Sequence, residues 1–548
     1  MHRKLWLSLV ALFAGTSLLV ASSLASAAGT KPAAPSVAKT VGKTGGTMRL
    51  NMSDTDFDFL DPALAFGDWS GMMTYLTNYR LMTFPDKPAP EGTKPTPEGA
   101  SGFPIVSNGG KTYAFTVRSD ASRFNTGEKV TAQSFADAIN RVLNPAMQSP
   151  GAAFIKDIVG AQNVIDGKAK TASGVKVAGS KLVITLEKPA PDFLSRISMQ
   201  FFSAIPHSMP IDPQGVDTPA GAGPYYVKSW VKNRQAVFVR NPNYKGNRPH
   251  NIDSFIVTIN TDAAQSLLQV KAGQVDYDIG GPPPESKSQL APLLNKQFFV
   301  NPLATTTYIS LNNDSPIFAN VAARKAANYA VDRPAMLRAF GFLGGKRDDQ
   351  LLAPAVPGYR DAKIYPIKGA DPNAAKKLYS KGGNVSLYVR GRPYQLVQGQ
   401  IFQYNLKQIG MNVDVHQFAT AVFYAKVGTK GEKFDAAIAA WGWDYPDPDD
   451  FIDILLKGSN IHATNNNNTA YFNNAAMDAK MTAANALTGD ARFKAYGNLD
   501  IQISKDFAPL VDLYHATQPS FFSTRMDPKC FVFQPILGRP DLAAECIK

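Results

Sequence analysis

The sequence predicts an α/β protein of two or three domains. Three observations carry this. Alternating segments of strand length and amphipathic segments of helix length interleave along the chain. About 520 residues remain after an N-terminal leader, enough for more than one core. One apolar run, Phe434 to Ala440, breaks abruptly into Trp441-Gly442-Trp443-Asp444-Tyr445, with Pro446 and Pro448 behind it. That is the form of a buried strand whose carboxyl end opens into an aromatic loop, since two prolines stop any regular element. In α/β sheets ligands bind in the crevice outside such strand ends. Asp444, enclosed by Trp and Tyr, calls for a cationic partner, because an unpaired buried charge is costly. The alternative is a surface turn with core tryptophans and solvated aspartates.

The N-terminus bears on compartment. His2, Arg3 and Lys4 precede a mostly apolar stretch, Leu5 to Val20, and a small-residue site, Ala25-Ser26-Ala27. Residues 1–27 read as a secretory signal peptide and 28–44 as a flexible leader. No cysteine stands near the cleavage site, so no lipid attachment is indicated. A periplasmic or secreted location is expected. The two cysteines, Cys530 and Cys546, are disulfide candidates in an oxidising compartment, the alternative being two independent thiols. The formal charge is +13, and +11 once Arg3 and Lys4 leave with the signal peptide. The basic residues form no run, which favours solubility over nucleic-acid binding.

Element by element, Gly45 to Met52 alternates as a first strand, followed by the loop Phe66-Gly67-Asp68-Trp69. Met72 to Met82 has helical spacing. Lys111 to Arg118 alternates as a strand. Thr131 is an N-cap for a helix over Ala132 to Leu143, which Asn144-Pro145 ends. Val175–Val177 and Lys181–Leu186 flank Ala178-Gly179-Ser180 as a hairpin. Gln235 to Arg240 and Phe255 to Ile259 read as strands, Ala263 to Ala272 as a helix. Further strands fall at Tyr308–Leu311, Val385–Val389, Met411–Val415 and Pro509–Tyr514. Helices fall at Val321–Ala330, Leu396–Ile409, Ala475–Ala486 and Ala491–Ser504.

Catalytic signatures are missing. There is no GxGxxG, GxxxxGK[ST], GxSxG or HExxH, and Gly-Lys-Thr at 42–44 lacks the upstream glycine. The six histidines are isolated in sequence. Asp447, Asp449, Asp450 and Asp453 lack the glycine and terminal Glu of a calcium loop. They suit the start of a helix after a proline turn, where acids are favoured. No metal or cofactor is called for. An extracytoplasmic α/β protein of this kind favours binding over catalysis, with a secreted hydrolase as the rival.

In order, several blocks resemble one family: Gly45 to Leu50, Lys111 to Arg118, Val130 to Phe135, Gly221 to Trp230, Arg240-Asn241-Pro242-Asn243-Tyr244, Ala272 to Asp276, Ala326 to Arg333, and the aromatic stretch at 436–453. The chain thereby resembles the extracellular solute-binding proteins of the peptide/nickel class, which serve ATP-driven importers. The resemblance runs from about residue 45 to about 525. It implies a two-lobed periplasmic-binding-protein fold of type II with an extra domain in lobe I. Lobe I would comprise 45–82, 201–304 and 512–548, the extra domain 83–200, and lobe II 305–511. A monomer would take a small ligand, most simply a short peptide, between closing lobes and pass it to membrane permease subunits. An oligosaccharide is the alternative ligand. By the resemblance, Asp444 matches the position that holds a peptide's free amino terminus. Trp441, Trp443 and Tyr445 surround it. Phe66, Trp69, Tyr308, Asn312, Arg390, Arg392 and Tyr394 are further pocket candidates, the arginines for a ligand carboxylate. Three departures bear on the ligand: Gly102-Phe103-Pro104 before the strand at 111, the acidic run after Asp444, and more Pro and Gly over 83–104 than the resemblance implies.

Overall fold

The computed structural model describes residues 44–53, 56–118, 120–341 and 343–548. The expected signal peptide and nearly all of the leader lie outside the described residues. No helix among those described is long and apolar enough to cross a membrane.

Three sheets organise the chain. The first has five strands in the order Tyr277–Asp278, Thr47–Ser53, Ser254–Thr261, Gln235–Arg240, Tyr225–Val231. Thr47–Ser53 runs parallel to both of its neighbours, and the later strands pair antiparallel. Alternation decides the faces: Met48, Leu50 and Met52 meet Phe255, Val257 and Ile259 in one core with Phe238.

The second sheet has six strands in the order Gly345–Arg347, Leu510–Phe521, Phe298–Leu311, Ala436–Gly442, Gly383–Arg390, Met411–Phe418. The last three run parallel to one another, which requires crossover helices, and Pro393–Lys407 supplies one. Ala436–Gly442 is buried on both faces over its first four residues. It therefore reads as a continuous apolar run rather than an alternating one. A third sheet of four antiparallel strands contains Thr112–Thr116 and the 175–185 hairpin. It has its own core around Phe115, Phe135, Ile139 and Leu182. The helix Ala132–Leu143 starts with a capping box between Thr131 and Ser134.

Several elements differ from their sequence-based bounds. The helix expected over 72–82 runs instead from Asp68 to Thr77, so Asp68 and Trp69 belong to its first turn rather than to a loop. Asn78 turns extended there, and Met82–Thr83 pairs with Thr96–Pro97. The strand expected at 308–311 is the end of a fourteen-residue strand, Phe298–Leu311. Its partner, Leu510–Phe521, likewise runs well beyond Tyr514. Pro302 and a run of threonines conceal the longer element, because the pairing shifts register between Pro302 and Thr306. The helix Asp449–Leu456 starts where the acids led it to be expected.

Cys530 and Cys546 are disulfide-bonded with Cα atoms 5.8 Å apart. The closed loop of 16 residues is worth about 3 kcal/mol in the chain-entropy account.

Candidate functional site

The strand Ala436–Gly442 ends at a cavity of about 1250 Å³. Several parts of the chain line it. The strand end and its loop contribute Trp441 to Tyr445, and the register shift of the long strand contributes Leu303 to Thr305. Phe154, Asp192 and Arg196 come from the region of the third sheet. Ile536 to Arg539 come from the C-terminal segment. The Trp443 backbone N–H donates to the Ala304 carbonyl at 3.2 Å, which ties the loop to the shifted strand. A smaller cleft of about 120 Å³ shares Phe66, Asp68, Trp443 and Asp444 with the main cavity.

Asp444 sits on this wall partly buried. Its backbone N–H donates to Oδ2 of Asp450 at 2.7 Å. No donor among the described residues reaches its own carboxylate. Burial without a compensating partner pushes that carboxyl up to about 6. Behind it the acids are buried rather than solvated: Asp447, Asp449, Asp450 and Asp453 are each at most 6 % exposed. Arg492, also buried, holds Asp447 at 3.0 Å and Asp449 at 3.2 Å. Lys457 holds Asp453 at 2.9 Å. The acidic residues open the helix Asp449–Leu456, but its environment is interior.

Aromatic side chains frame the wall. Phe66, 49 % exposed, tilts against Phe201 at 5.8 Å. Tyr445 leaves its own sheet and enters the core of the third-sheet region, edge-on to Phe154 at 6.4 Å. Across the cavity Arg196 pairs with Asp192 at 2.6 Å and with Asp157 at 2.9 Å.

Of the residues singled out from sequence, Asp444, Trp441, Trp443, Tyr445 and Phe66 line the cavity together. The others do not. Trp69 packs beneath Arg539, whose guanidinium carbon lies 4.3 Å from the ring centroid, so Trp69 acts through a lining residue. Tyr308 points into the core beside Leu351 and Phe451. Asn312 is consumed by a turn: its amide donates to the Phe434 carbonyl at 2.8 Å and its oxygen accepts from the Asp314 N–H. Arg390 is buried against Gln395 and reaches the Tyr424 hydroxyl at 3.0 Å, one residue short of the cavity. Arg392 is exposed beside the Tyr394 hydroxyl, and Tyr394 packs on Phe340. Arg390 is the last residue of the strand Gly383–Arg390, and the chain after it turns away into the helix Pro393–Lys407 that Arg392 caps. Sequence reading overlooked Phe154, Arg196 and Arg539, which stand in segments with no local motif. It read Asp450 as part of a helix start, as it is, but no local pattern reveals its burial.

The chain is similar to known proteins. Residues 94–463 match the family described as bacterial extracellular solute-binding proteins, family 5 Middle. The chain belongs to this family. Among curated family relatives, the Periplasmic oligopeptide-binding protein OppA of Escherichia coli is 26% identical over 435 residues, 74% of this chain and 76% of that one. The Probable D,D-dipeptide-binding periplasmic protein DdpA of the same organism is 27% identical over 491 residues, 87% and 90% of the two chains. Among solved structures, Clavulanic acid biosynthesis oligopeptide binding protein 2 superposes with a TM-score of 0.85 at 22% identity, covering 92% of this chain and 96% of that one. That likeness carries the type II periplasmic-binding-protein fold.

Proposed function

We propose that this family member is the non-catalytic receptor of an ATP-driven importer, and that it captures a short peptide by its free amino terminus. One observation carries the reading. Asp444 is a partly buried carboxylate that faces a large cavity, has no donor to its carboxylate among the described residues and stands among aromatic side chains. An ammonium group supplies what it lacks, and a charge-assisted hydrogen bond there is strong and specific. Lys156, exposed on the rim and without an acidic partner among the described residues, is the cation left for the carboxyl end. In this reading residues 45–82, 201–304 and 512–548 form one lobe that carries the domain 83–200, and 305–511 form the other. The separate cores of the three sheets support that division. The crossings between lobes near 304 and 511 would be the hinge, and the loaded, closed protein would dock on permease subunits.

Calorimetry tests this with tripeptides whose amino terminus is free or acetylated. The free form is expected to bind, and acetylation or Asp444→Asn to weaken binding by about 100-fold or more, the worth of a desolvated charge-assisted bond. Equal affinity for both peptide forms overturns the assignment of Asp444.

A further inference from the structure

The smaller cleft beside Asp444 carries a cation that the amine reading leaves unused. Tyr75, Arg80, Ser198 and Asp444 are among the residues that line it. Arg80 is only 4 % exposed. Its Nη1 donates to the Ser198 carbonyl at 3.2 Å, and its guanidinium carbon lies 5.2 Å from the Tyr75 ring centroid. The charged end thus sits between two residues of the cleft wall. Among the described residues no acid stands within ion-pair distance of it, and neither Nε nor Nη2 has an acceptor; Nε is sealed off, Nη2 is not. The acids that act on Arg80 from nearby are engaged elsewhere. Glu98 accepts from its backbone N–H at 2.9 Å, and Asp86 pairs with Arg248 at 3.4 Å. Burial and the Arg248 guanidinium lower Arg80 to about 10, a penalty that a bound anion relieves. A second set of donors opens on the same cleft. Gly67, Asp68 and Gly71 line it, and the helix Asp68–Thr77 begins there without a side-chain cap. The N–H groups of Asp68, Trp69 and Ser70 have no acceptor among the described residues. The Asp58 carboxylate is taken by the Phe66 and Gly67 N–H groups at 3.0 and 2.7 Å, and Asp68 pairs with Arg539 at 3.1 Å. Free N–H groups and the helix dipole make such a first turn attractive to an anion. A Cβ at Gly71 would meet nothing within 4 Å, so the backbone there is open.

We propose that Arg80 and the amino end of the helix Asp68–Thr77 form a carboxylate subsite beside Asp444, and that the ligand is a peptide whose first residue is acidic. The peptide presents its α-amine to Asp444 and its Asp or Glu side chain to Arg80. This rests on the amine reading of Asp444. Arg80 and Asp444 line the cleft without pairing to each other, so each is left for an opposite charge on the ligand. The cleft holds about 120 Å³ against about 1250 Å³ for the main cavity, room for one side chain. Both charges therefore belong to one residue of the ligand, and the remainder of the peptide lies in the main cavity.

The test compares Glu-Ala-Ala with Gln-Ala-Ala, and Asp-Ala-Ala with Asn-Ala-Ala, on the intact chain by calorimetry. Each pair matches in shape and differs in charge. The better-fitting acidic peptide is expected to bind about tenfold or more tightly than its amide, the lower end of a charged hydrogen bond. Arg80→Met is expected to remove that preference while the amide peptides keep their affinity to within a few-fold. Equal wild-type affinities within both pairs overturn the carboxylate subsite and leave the amine reading standing; this comparison needs no variant, so misfolding cannot obscure it. A preference for the acid that survives Arg80→Met overturns the assignment to Arg80. Acetyl-Gln-Ala-Ala binding as tightly as Gln-Ala-Ala, or absence of binding by all four free peptides, overturns the amine reading and this proposal with it.

Discussion

At the scale of single residues, Asp444 combines exposure to the cavity with a hostile environment. Its folded-state pKa of about 6 lies above the ordinary carboxylate value, because burial penalises the charge. In the unliganded protein the group therefore favours the fold fully below its ordinary value, and that contribution is lost as pH rises through about 6. An amine ligand reverses the preference, since it needs the ionised form. The α-amine of a peptide stays mostly protonated across this range. Peptide affinity is thus expected to fall as pH drops from 7.5 to 5, and the ligand-induced rise in Tm to shrink with it. Thermal scans with and without a tripeptide at the two pH values check this. A rise that is unchanged or larger at pH 5 would contradict the titration of Asp444.

At the scale of elements, the loop 443–448 and the helix after it stand on one buried ion-pair network. Arg492, from the helix Gly489–Asp506, accounts for two of the four carboxylates behind Asp444. Its guanidinium fork also donates to the Asn485 carbonyl at 2.9 Å. Arg492→Met removes the cation and leaves both acids buried, a change that costs about 3–5 kcal/mol. Chemical denaturation of the variant is expected to show a loss of this size. Loss of peptide binding should accompany it even where the fold persists, because the loop no longer holds Asp444 in place. A loss under about 1 kcal/mol would mean that the acids are wetter than their burial indicates. The same element shows how far pattern reading reaches. The proline turn and the acids marked the helix start at Asp449, but not that the helix lies inside the molecule. The partner that makes burial tolerable comes from more than forty positions away, at Arg492 against Asp447.

At the scale of the whole molecule, Tyr445 joins two regions. It belongs to the loop after one sheet and packs in the core of another, edge-on to Phe154. If the sheets belong to closing lobes, this contact favours the closed arrangement. Tyr445→Ala removes an aromatic pair worth about 0.5–1.5 kcal/mol beyond its buried area. The variant is expected to have a larger radius of gyration without ligand in small-angle scattering, and a several-fold weaker peptide affinity. An unchanged radius and affinity would show that Tyr445 only fills space.

The sequence by itself determined the class of fold, the order of most strands and helices, and the strand that ends in the aromatic loop. Each of these is written locally: periodicity of two or of 3.6, a capping pair at Thr131 and Ser134, an apolar run stopped by prolines. It also marked Asp444, because a lone carboxylate amid tryptophans is unusual without any structure. Only the tertiary structure decided what else meets Asp444. Phe154, Arg196 and Arg539 reach the cavity from distant segments without a motif of their own. Arg390, Arg392, Tyr308 and Asn312 sit at strand ends and edges like site residues, yet packing turns them elsewhere. Position along a strand is encoded within a few neighbouring residues. Which face is buried, and which charge finds a partner, depends on contacts far apart in the sequence, and that is why the burial of Asp450 was not legible until the chain was folded.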